Sequence, residues 1–238
     1  MRGGSPSPLY LLAGGRRSLR KTVDPLLSAV LKATGKPTPS VAYVGAASGD
    51  DTGFFNMLGE MFRRAGSGAV RLAPVAGDDP DLEVAGNILS TADLIFISGG
   101  DVEVGMRLLR ERGVIPLLTR LYRDGVPFFG LSAGSIMLAR SWVRWRDEYD
   151  DETAELVPCL GLAPLYCDTH AEEEDWGELR VLLGLADTGT MGYGIPTGSA
   201  LCVTGDGSVQ AIGGPVQRLS RLKGKVRRIA DLVPAPVG

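Results

Sequence analysis

The stretch VPFFGLSAGSIMLA, residues 126–139, decides the fold that we predict for this chain. Its first half is a short apolar run of the kind that forms a buried strand, and its second half can open a helix. Between them lies Gly130-Leu131-Ser132-Ala133-Gly134, a G-x-S-x-G pentapeptide in the strand-turn-helix context that this motif requires. A strand, a sharp turn and a helix in this order are typical of an α/β sheet.

Four other apolar runs upstream have the same character. They are short, rich in Val, Ile, Leu, Tyr and Phe, and occupy residues 9–15, 40–48, 69–75 and 92–101. Segments with helical spacing lie between the runs, at Pro25 to Thr34, Phe54 to Arg64, Val104 to Arg112 and Val114 to Arg123. This alternation predicts a doubly wound, mainly parallel sheet flanked by helices. In such a sheet, ligands bind beyond the carboxyl ends of the strands.

The pattern changes after Ser135. Residues 144–158 are charged and predict a helix or loop, 160–170 a strand and 177–186 a helix. The tail, 194–219, predicts antiparallel strands that close one edge of the sheet, with a hairpin at TGDG, 204–207. We expect one catalytic domain over residues 1–238, with loose termini at 1–8 and 233–238.

The net charge and its distribution limit the classes of binding partner that the chain is expected to have. A net charge of −3 with both signs scattered along the chain gives no footprint for nucleic acid or an anionic membrane. The apolar run near the start is too short for a signal peptide or a membrane span, so we expect a cytoplasmic protein. The charge distribution favours a small-molecule or peptide substrate. The oligomeric state stays open, with a homodimer as one arrangement.

No metal or organic cofactor is predicted. The chain has a single histidine and therefore no histidine pair for zinc, and the glycine turn at Gly14 lacks the third glycine of a dinucleotide fingerprint. Cys159, Cys167 and Cys202 have no CxxC spacing, which argues against disulfides and a structural zinc site and favours buried thiols.

Ser132 is the predicted nucleophile. A serine hydroxyl needs a positioned base at neutral pH, and if that base is an imidazole it must be His170, the only histidine. The N–H of Ala133 is one expected oxyanion donor, and Gly100, in the 98–101 turn, is the expected second donor. The carboxylate that would orient the imidazole is left open on these grounds among Asp147, Glu148, Asp150, Asp151 and Asp168.

Several motifs together resemble the dipeptidase E and cyanophycinase family of serine peptidases. They are Gly14-Gly15, FISGGD at 96–101, GLSAG at 130–134, Asp168 to His170, GYGIPTGSAL at 192–201 and VQAIGGPV at 209–216. The resemblance implies a class I glutamine amidotransferase-like fold, with Ser132 as nucleophile and His170 as base. It places the acid 15 to 18 residues beyond the serine, which selects Asp147, with Asp150 as the alternative.

The chain also departs from this family. Val102 follows GGD where cyanophycinases have glutamine, and Ala171 follows the histidine where they have an aromatic residue. Dipeptidase E enzymes hold an aspartyl side chain with a cation, and Arg180 is the nearest arginine downstream of His170, beside the acidic run 172–175. The substrate side chain therefore stays open.

The predicted function is a serine exopeptidase that cleaves a short peptide or isopeptide through an acyl-enzyme. Two alternatives remain at this point. One is an amidotransferase-like enzyme, which would normally have a cysteine at the elbow, and the other is a non-enzymatic binding protein on the same fold.

Overall fold

A computed structural model describes residues 7–14, 23–147 and 150–235. Its strands are β1 (Leu9–Leu12), β2 (Val41–Val44), β3 (Val70–Ala73), β4 (Leu94–Ile97), β5 (Phe128–Leu131), β6 (Ser141–Trp145), β7 (Ala154–Pro158), β8 (Tyr166–Thr169), β9 (Met191–Ile195), β10 (Ala200–Val203), β11 (Val209–Ile212), β12 (Val216–Leu222) and β13 (Lys225–Leu232). Its helices are α1 (Pro25–Ala33), α2 (Thr52–Ala65), α3 (Leu82–Thr91), α4 (Val102–Glu111), α5 (Ile115–Arg123), α6 (Ala133–Leu138) and α7 (Gly177–Leu185).

The main sheet has the strand order β11-β10-β1-β5-β4-β2-β3. Strands β1, β5, β4, β2 and β3 pair in parallel, and β10 and β11 add antiparallel pairs beside β1. The prediction of a mainly parallel sheet closed by antiparallel strands is confirmed. Because β1, β4 and β5 are parallel neighbours, their carboxyl ends meet at one edge, next to the Gly-x-Ser-x-Gly turn.

Residues alternate between two apolar layers along each central strand. In β4, Ile95 and Ile97 belong to one buried cluster, while Leu94 and Phe96 belong to the cluster on the opposite face. Helices α1 and α2 cover the second cluster, and α4, α5 and α6 pack on the first. Burial on both faces explains why these strands are continuous apolar runs rather than alternating ones.

A second sheet has the order β13-β12-β9-β8, and β10 and β11 of the main sheet lie between its strands β9 and β12 in the sequence. Strands β8 and β9 are parallel, and the other pairs are antiparallel. Helix α7 packs on this sheet through Leu179, Leu182 and Leu183, together with the buried Trp176. This unit holds β8, whose carboxyl end carries His170.

The prediction of a helix or loop for residues 144–158 is wrong at both ends of the segment, which belong to β6 and β7, while the described residues between the strands form a turn as predicted. The two strands form an antiparallel hairpin that pairs from Ser141 with Pro158 to Trp145 with Ala154. Val143 is buried, and Trp145, Ala154 and Leu156 pack against the α7 cluster. The charged residues lie mostly in the turn and on the solvent-facing side of the hairpin. Their number made the alternating pattern of the two strands hard to recognise in the sequence.

Helix α3 is a further element that the sequence analysis did not predict. Asp81 caps its first turn by accepting a hydrogen bond from the N–H of Val84. The predicted loose termini fall mostly outside the described residues, although the Ser7 hydroxyl donates to the carbonyl oxygen of Gly125. Among the described helices, none combines the length and apolar composition that a bilayer-crossing segment requires.

Candidate active site

Ser132 lies between the end of β5 and the start of α6, in a strained backbone conformation. Its φ is 53° and its ψ is −123°, a region that residues with a side chain rarely occupy. Main-chain hydrogen bonds on both sides hold this geometry: the Ser132 N–H donates to the carbonyl oxygen of Leu12 at 2.8 Å, and the Ser132 carbonyl oxygen accepts from the Ser135 N–H at 2.8 Å. The turn therefore presents the hydroxyl at the edge of the sheet where β1 and β5 end.

Both glycines of the pentapeptide are required by close backbone approach. A Cβ on Gly130 would lie 2.5 Å from the backbone of Gly134, and a Cβ on Gly134 would overlap the carbonyl oxygen of Ile97. The Gly-x-Ser-x-Gly spacing is therefore a packing requirement of the turn, as well as a mark of its chemistry.

His170 reaches Ser132 from the second sheet. It follows β8 with a φ of 45°, and its N–H donates to the carbonyl oxygen of Ile195 at 2.9 Å. Its Nε2 lies 2.7 Å from the Ser132 Oγ, although the two residues are 38 positions apart. This distance is within the range of about 2.6–3.2 Å over which a base can take a hydroxyl proton.

The carboxylates considered for the third position are distributed around the site. Asp147 and Asp150 lie on the exposed turn between β6 and β7, where the Asp147 N–H donates to the Thr153 hydroxyl and Asp150 accepts from the Glu152 N–H. Asp151 accepts from the Trp145 indole. Within the described residues, the hydrogen bonds of His170 go to Ser132 and Ile195. The choice of Asp147, or of Asp150, as the acid stays a prediction.

Asp168, another of those carboxylates, is buried. Its Oδ1 accepts from the Thr169 N–H at 2.7 Å, and its Oδ2 has no hydrogen-bond partner within the described part of the chain. A cavity of about 30 Å³ beside it is also lined by Trp142 and Glu178. Burial raises the pKa of Asp168 to about 7. The hydrogen bond from the Thr169 N–H lowers this pKa, and the negative charges of Glu178 and Glu174 raise it further.

Glu172 is a residue of the site that the sequence analysis missed. It lies two positions after His170, and its Oε1 accepts from the Thr197 N–H at 3.1 Å. In the sequence it is one member of the acidic run 172–175. Its proximity to the only histidine was the available signal.

The turn at 98–101, where the second oxyanion donor is expected, lies against Ser132. A Cβ on Gly99 would lie 3.4 Å from the Cβ of Ser132. Gly100 has a φ of 141°, and a Cβ there would overlap the carbonyl oxygen of Ala47. Ala133 is the first residue of α6, so its N–H has no acceptor within the helix and is free to face a substrate.

Gly100→Ala is expected to lower the free energy of unfolding by about 3 kcal/mol, because the methyl group collides with backbone that cannot move aside. Gly184→Ala is the matched control: the position is in α7, and no atom lies within 4 Å of the added Cβ. The control is expected to gain about 0.5–1 kcal/mol. Urea unfolding of the three proteins gives both values, and equal stabilities would contradict the close approach at Gly100.

The thiols do not offer an alternative nucleophile. Burial raises the pKa of Cys167 well above its ordinary value, and the pKa of Cys159 to about 12. A thiol that stays protonated at neutral pH is a poor nucleophile. This counts against an amidotransferase-like reaction through cysteine.

Arg180, the arginine considered as a substrate cation, already has an anionic neighbour. Its guanidinium lies 3.0 Å from the Asp175 carboxylate, and its Nε donates to the Asp175 carbonyl oxygen at 2.8 Å. The structure thus brings Ser132, His170 and the 98–101 turn together, and it pairs Arg180 with the acidic run.

A doubly wound sheet with a strained serine at a strand end and an imidazole beside it defines the class of serine hydrolases. The sequence model of Peptidase family S51 matches residues 9–211. The chain belongs to that family, which confirms the resemblance to the dipeptidase E family.

Known proteins agree with this placement. The chain is 30% identical over 129 residues to Peptidase E of Streptomyces coelicolor, an alignment that covers 51% of this chain and 53% of that protein. A crystal structure of a peptidase from an acI-B1 actinobacterium superposes with a TM-score of 0.71 at 18% identity, covering 98% of both chains. A candidate peptidase E of Listeria monocytogenes EGD-e gives 0.63 at 16% identity, covering 87% of this chain and 98% of the other. The two structures support the same fold, which is consistent with the class I glutamine amidotransferase-like architecture.

Proposed function

We propose that this serine peptidase hydrolyses a short peptide or isopeptide through an acyl-enzyme on Ser132, with His170 as the base. The observation that carries the proposal is the 2.7 Å contact between Ser132 Oγ and His170 Nε2 at the carboxyl edge of the sheet. The strained backbone at Ser132 supports it, because such strain is found where a reactive group must be held in one position.

The reaction would proceed in two halves. His170 Nε2 takes the proton of Ser132 as its Oγ attacks the scissile carbonyl carbon, and the resulting oxyanion lies between the N–H groups of Ala133 and Gly100. The protonated imidazole then gives its proton to the leaving amine, and the C–N bond breaks. Water, deprotonated by His170, adds to the acyl carbon and releases the acid together with the free serine.

Fluorophosphonate labelling tests the proposal without knowledge of the substrate. The probe is expected to add to Ser132 in the wild-type protein, as located by peptide mass spectrometry, and not to add to Ser132→Ala. Ser135→Ala is the matched control, because its buried hydroxyl is committed to the carbonyl oxygen of Leu12; this variant should still be labelled. Labelling that persists unchanged in Ser132→Ala would remove the basis for the proposal.

A further inference from the structure

The loop between β2 and α2, residues 45–50, packs against the 98–101 turn that carries the proposed oxyanion donor. The Asp101 N–H donates to the carbonyl oxygen of Ala47 at 2.8 Å. The same oxygen would overlap a Cβ on Gly100, so the main chain of the turn lies directly on the main chain of the loop. A displacement of the 45–50 loop therefore displaces the turn.

A pair of hydroxyl groups forms a second contact between the loop and the turn. The Ser48 Oγ lies 3.4 Å from the Ser98 Oγ, and Ser98 is completely buried. The Ser98 N–H donates to the carbonyl oxygen of Val44, the residue before the loop, at 3.0 Å. The start of the turn is thus held both by the loop and by the strand that leads into it.

Asp50 holds the loop itself in place. Its Oδ2 accepts hydrogen bonds from the N–H groups of Val75 and Ala76, both at 2.7 Å, which ties the loop to the segment after β3. Its own N–H donates to the carbonyl oxygen of Gly45 at 3.0 Å, so the two ends of the loop are joined. A Cβ on Gly45 would lie 2.5 Å from the Asp50 Oδ1, which explains the glycine at that position.

The backbone of Asp50 is in the left-handed region, with a φ of 56°. A residue with a side chain persists in a strained conformation only where its surroundings hold it there, and such residues cluster at functional sites. The two charge-assisted hydrogen bonds from Val75 and Ala76 hold Asp50 in this way. The carboxylate therefore keeps the loop in a shape that the free chain would not favour.

We infer that Asp50 is a positioning residue of the oxyanion turn: its carboxylate fixes the 45–50 loop, and the loop fixes Gly100 near Ser132. The inference rests on the proposed function, in which the Gly100 N–H meets the oxyanion. A donor must lie about 2.7–3.1 Å from the oxyanion, and a misplacement of about 1 Å can lower a rate about 100-fold. Asp50 therefore acts on the chemical step without touching the substrate.

The saturation kinetics of fluorophosphonate labelling at Ser132 test this role. In Asp50→Ala both hydrogen bonds are lost, so the maximal rate constant of labelling should fall about 10–100-fold. The probe concentration that gives half of this rate should change less than about 2-fold, because the oxyanion forms only in the chemical step. Asp50→Asn retains an oxygen that can accept from the two N–H groups and tolerates a positive φ, so its rate should stay within about 3-fold of the wild type.

Asp93→Ala is the matched control. The Asp93 carboxylate accepts from the N–H and the hydroxyl of Ser40, both at 2.9 Å, and also pairs with Lys36, at the opposite edge of the sheet. This variant should keep the wild-type labelling rate. An equal loss of rate in Asp93→Ala and Asp50→Ala would mean that lowered stability alone slows the labelling, and it would overturn the inference. Asp50→Gly loses the same hydrogen bonds without strain in φ, and it replaces Asp50→Ala if the alanine variant does not fold.

Amide hydrogen exchange follows the turn without any probe. Exchange at the Asp101 N–H should be about 10-fold faster in Asp50→Ala than in the wild type and unchanged in Asp93→Ala, because a hydrogen bond to a charged group contributes roughly that factor. Unchanged Asp101 exchange, or an unchanged labelling rate, in Asp50→Ala would overturn the inference. Failure of the proposed function has a different signature, namely labelling that does not depend on Ser132. In that case the exchange still shows whether Asp50 holds the turn.

Discussion

Ser132→Ala is expected to lower peptide hydrolysis by about 10⁴–10⁶-fold, because the hydroxyl that would form the acyl-enzyme is gone and only binding and oxyanion stabilisation remain. The measurement is a screen of aspartyl, β-aspartyl and basic dipeptides against the wild type and the variant. The same screen identifies the side chain that the enzyme accepts. Hydrolysis that survives in the variant at more than about a tenth of the wild-type rate would exclude Ser132 as nucleophile.

A second variant separates lost chemistry from lost folding. Alanine must adopt the same positive φ as Ser132, so Ser132→Ala should keep its stability within about 0.5 kcal/mol. Glycine adopts this conformation without strain, so Ser132→Gly should be equally inactive but more stable by about 1 kcal/mol. A Ser132→Gly protein less stable than Ser132→Ala would contradict the strained turn.

Asp168→Asn is expected to make the protein more stable than the wild type above neutral pH. In the folded protein the pKa of Asp168 is about 7, against an ordinary value of 3.8, so the folded state keeps a proton that the unfolded state loses. Wild-type stability therefore falls as the pH rises from about 4 to about 7, and the loss is complete above that range. Because one pKa unit corresponds to about 1.4 kcal/mol, the full effect approaches 4 kcal/mol.

Urea unfolding at pH 5, 6, 7 and 8 measures this effect. The advantage of Asp168→Asn over the wild type should grow by about 2–3 kcal/mol from pH 5 to pH 8, because asparagine does not titrate while its oxygen can still accept from the Thr169 N–H. The exposed Glu173→Gln is the comparison variant and should show no such growth. An advantage that is constant with pH would mean that Asp168 does not hold its proton in the folded protein.

Much of the central fold was predictable because burial on both faces leaves a plain signal. Strands β1, β2, β4 and β5 are apolar throughout, and each is followed by small or polar residues. The edge strand β3 carries Arg71 and is only partly buried. The β6–β7 hairpin could not be predicted in the same way, because its turn concentrates charge at Arg146, Asp147 and Asp150. Which of its residues face α7 depends on a packing partner more than 20 positions away.

Some residues of the candidate site were predictable from the sequence, and others were not. Ser132 was predictable because backbone contacts require glycine at its neighbours Gly130 and Gly134. This requirement is visible in the sequence as a short motif around the serine. His170 was predictable by elimination, since the chain has no other histidine. Glu172 was not, because its place in the site depends on the N–H of Thr197, which the pairing of β8 with β9 brings beside it.

The sequence by itself determined the class of fold, the position of the serine turn and the identity of the imidazole, because hydrophobic periodicity, glycine spacing and composition are properties of the chain alone. Only the tertiary structure decided that Ser132 Oγ and His170 Nε2 meet at 2.7 Å and that Asp168 is buried away from solvent. Those facts depend on how the two sheets are placed against each other. That placement follows from packing and strand pairing between residues far apart in the chain. It therefore cannot be read from any single stretch of sequence.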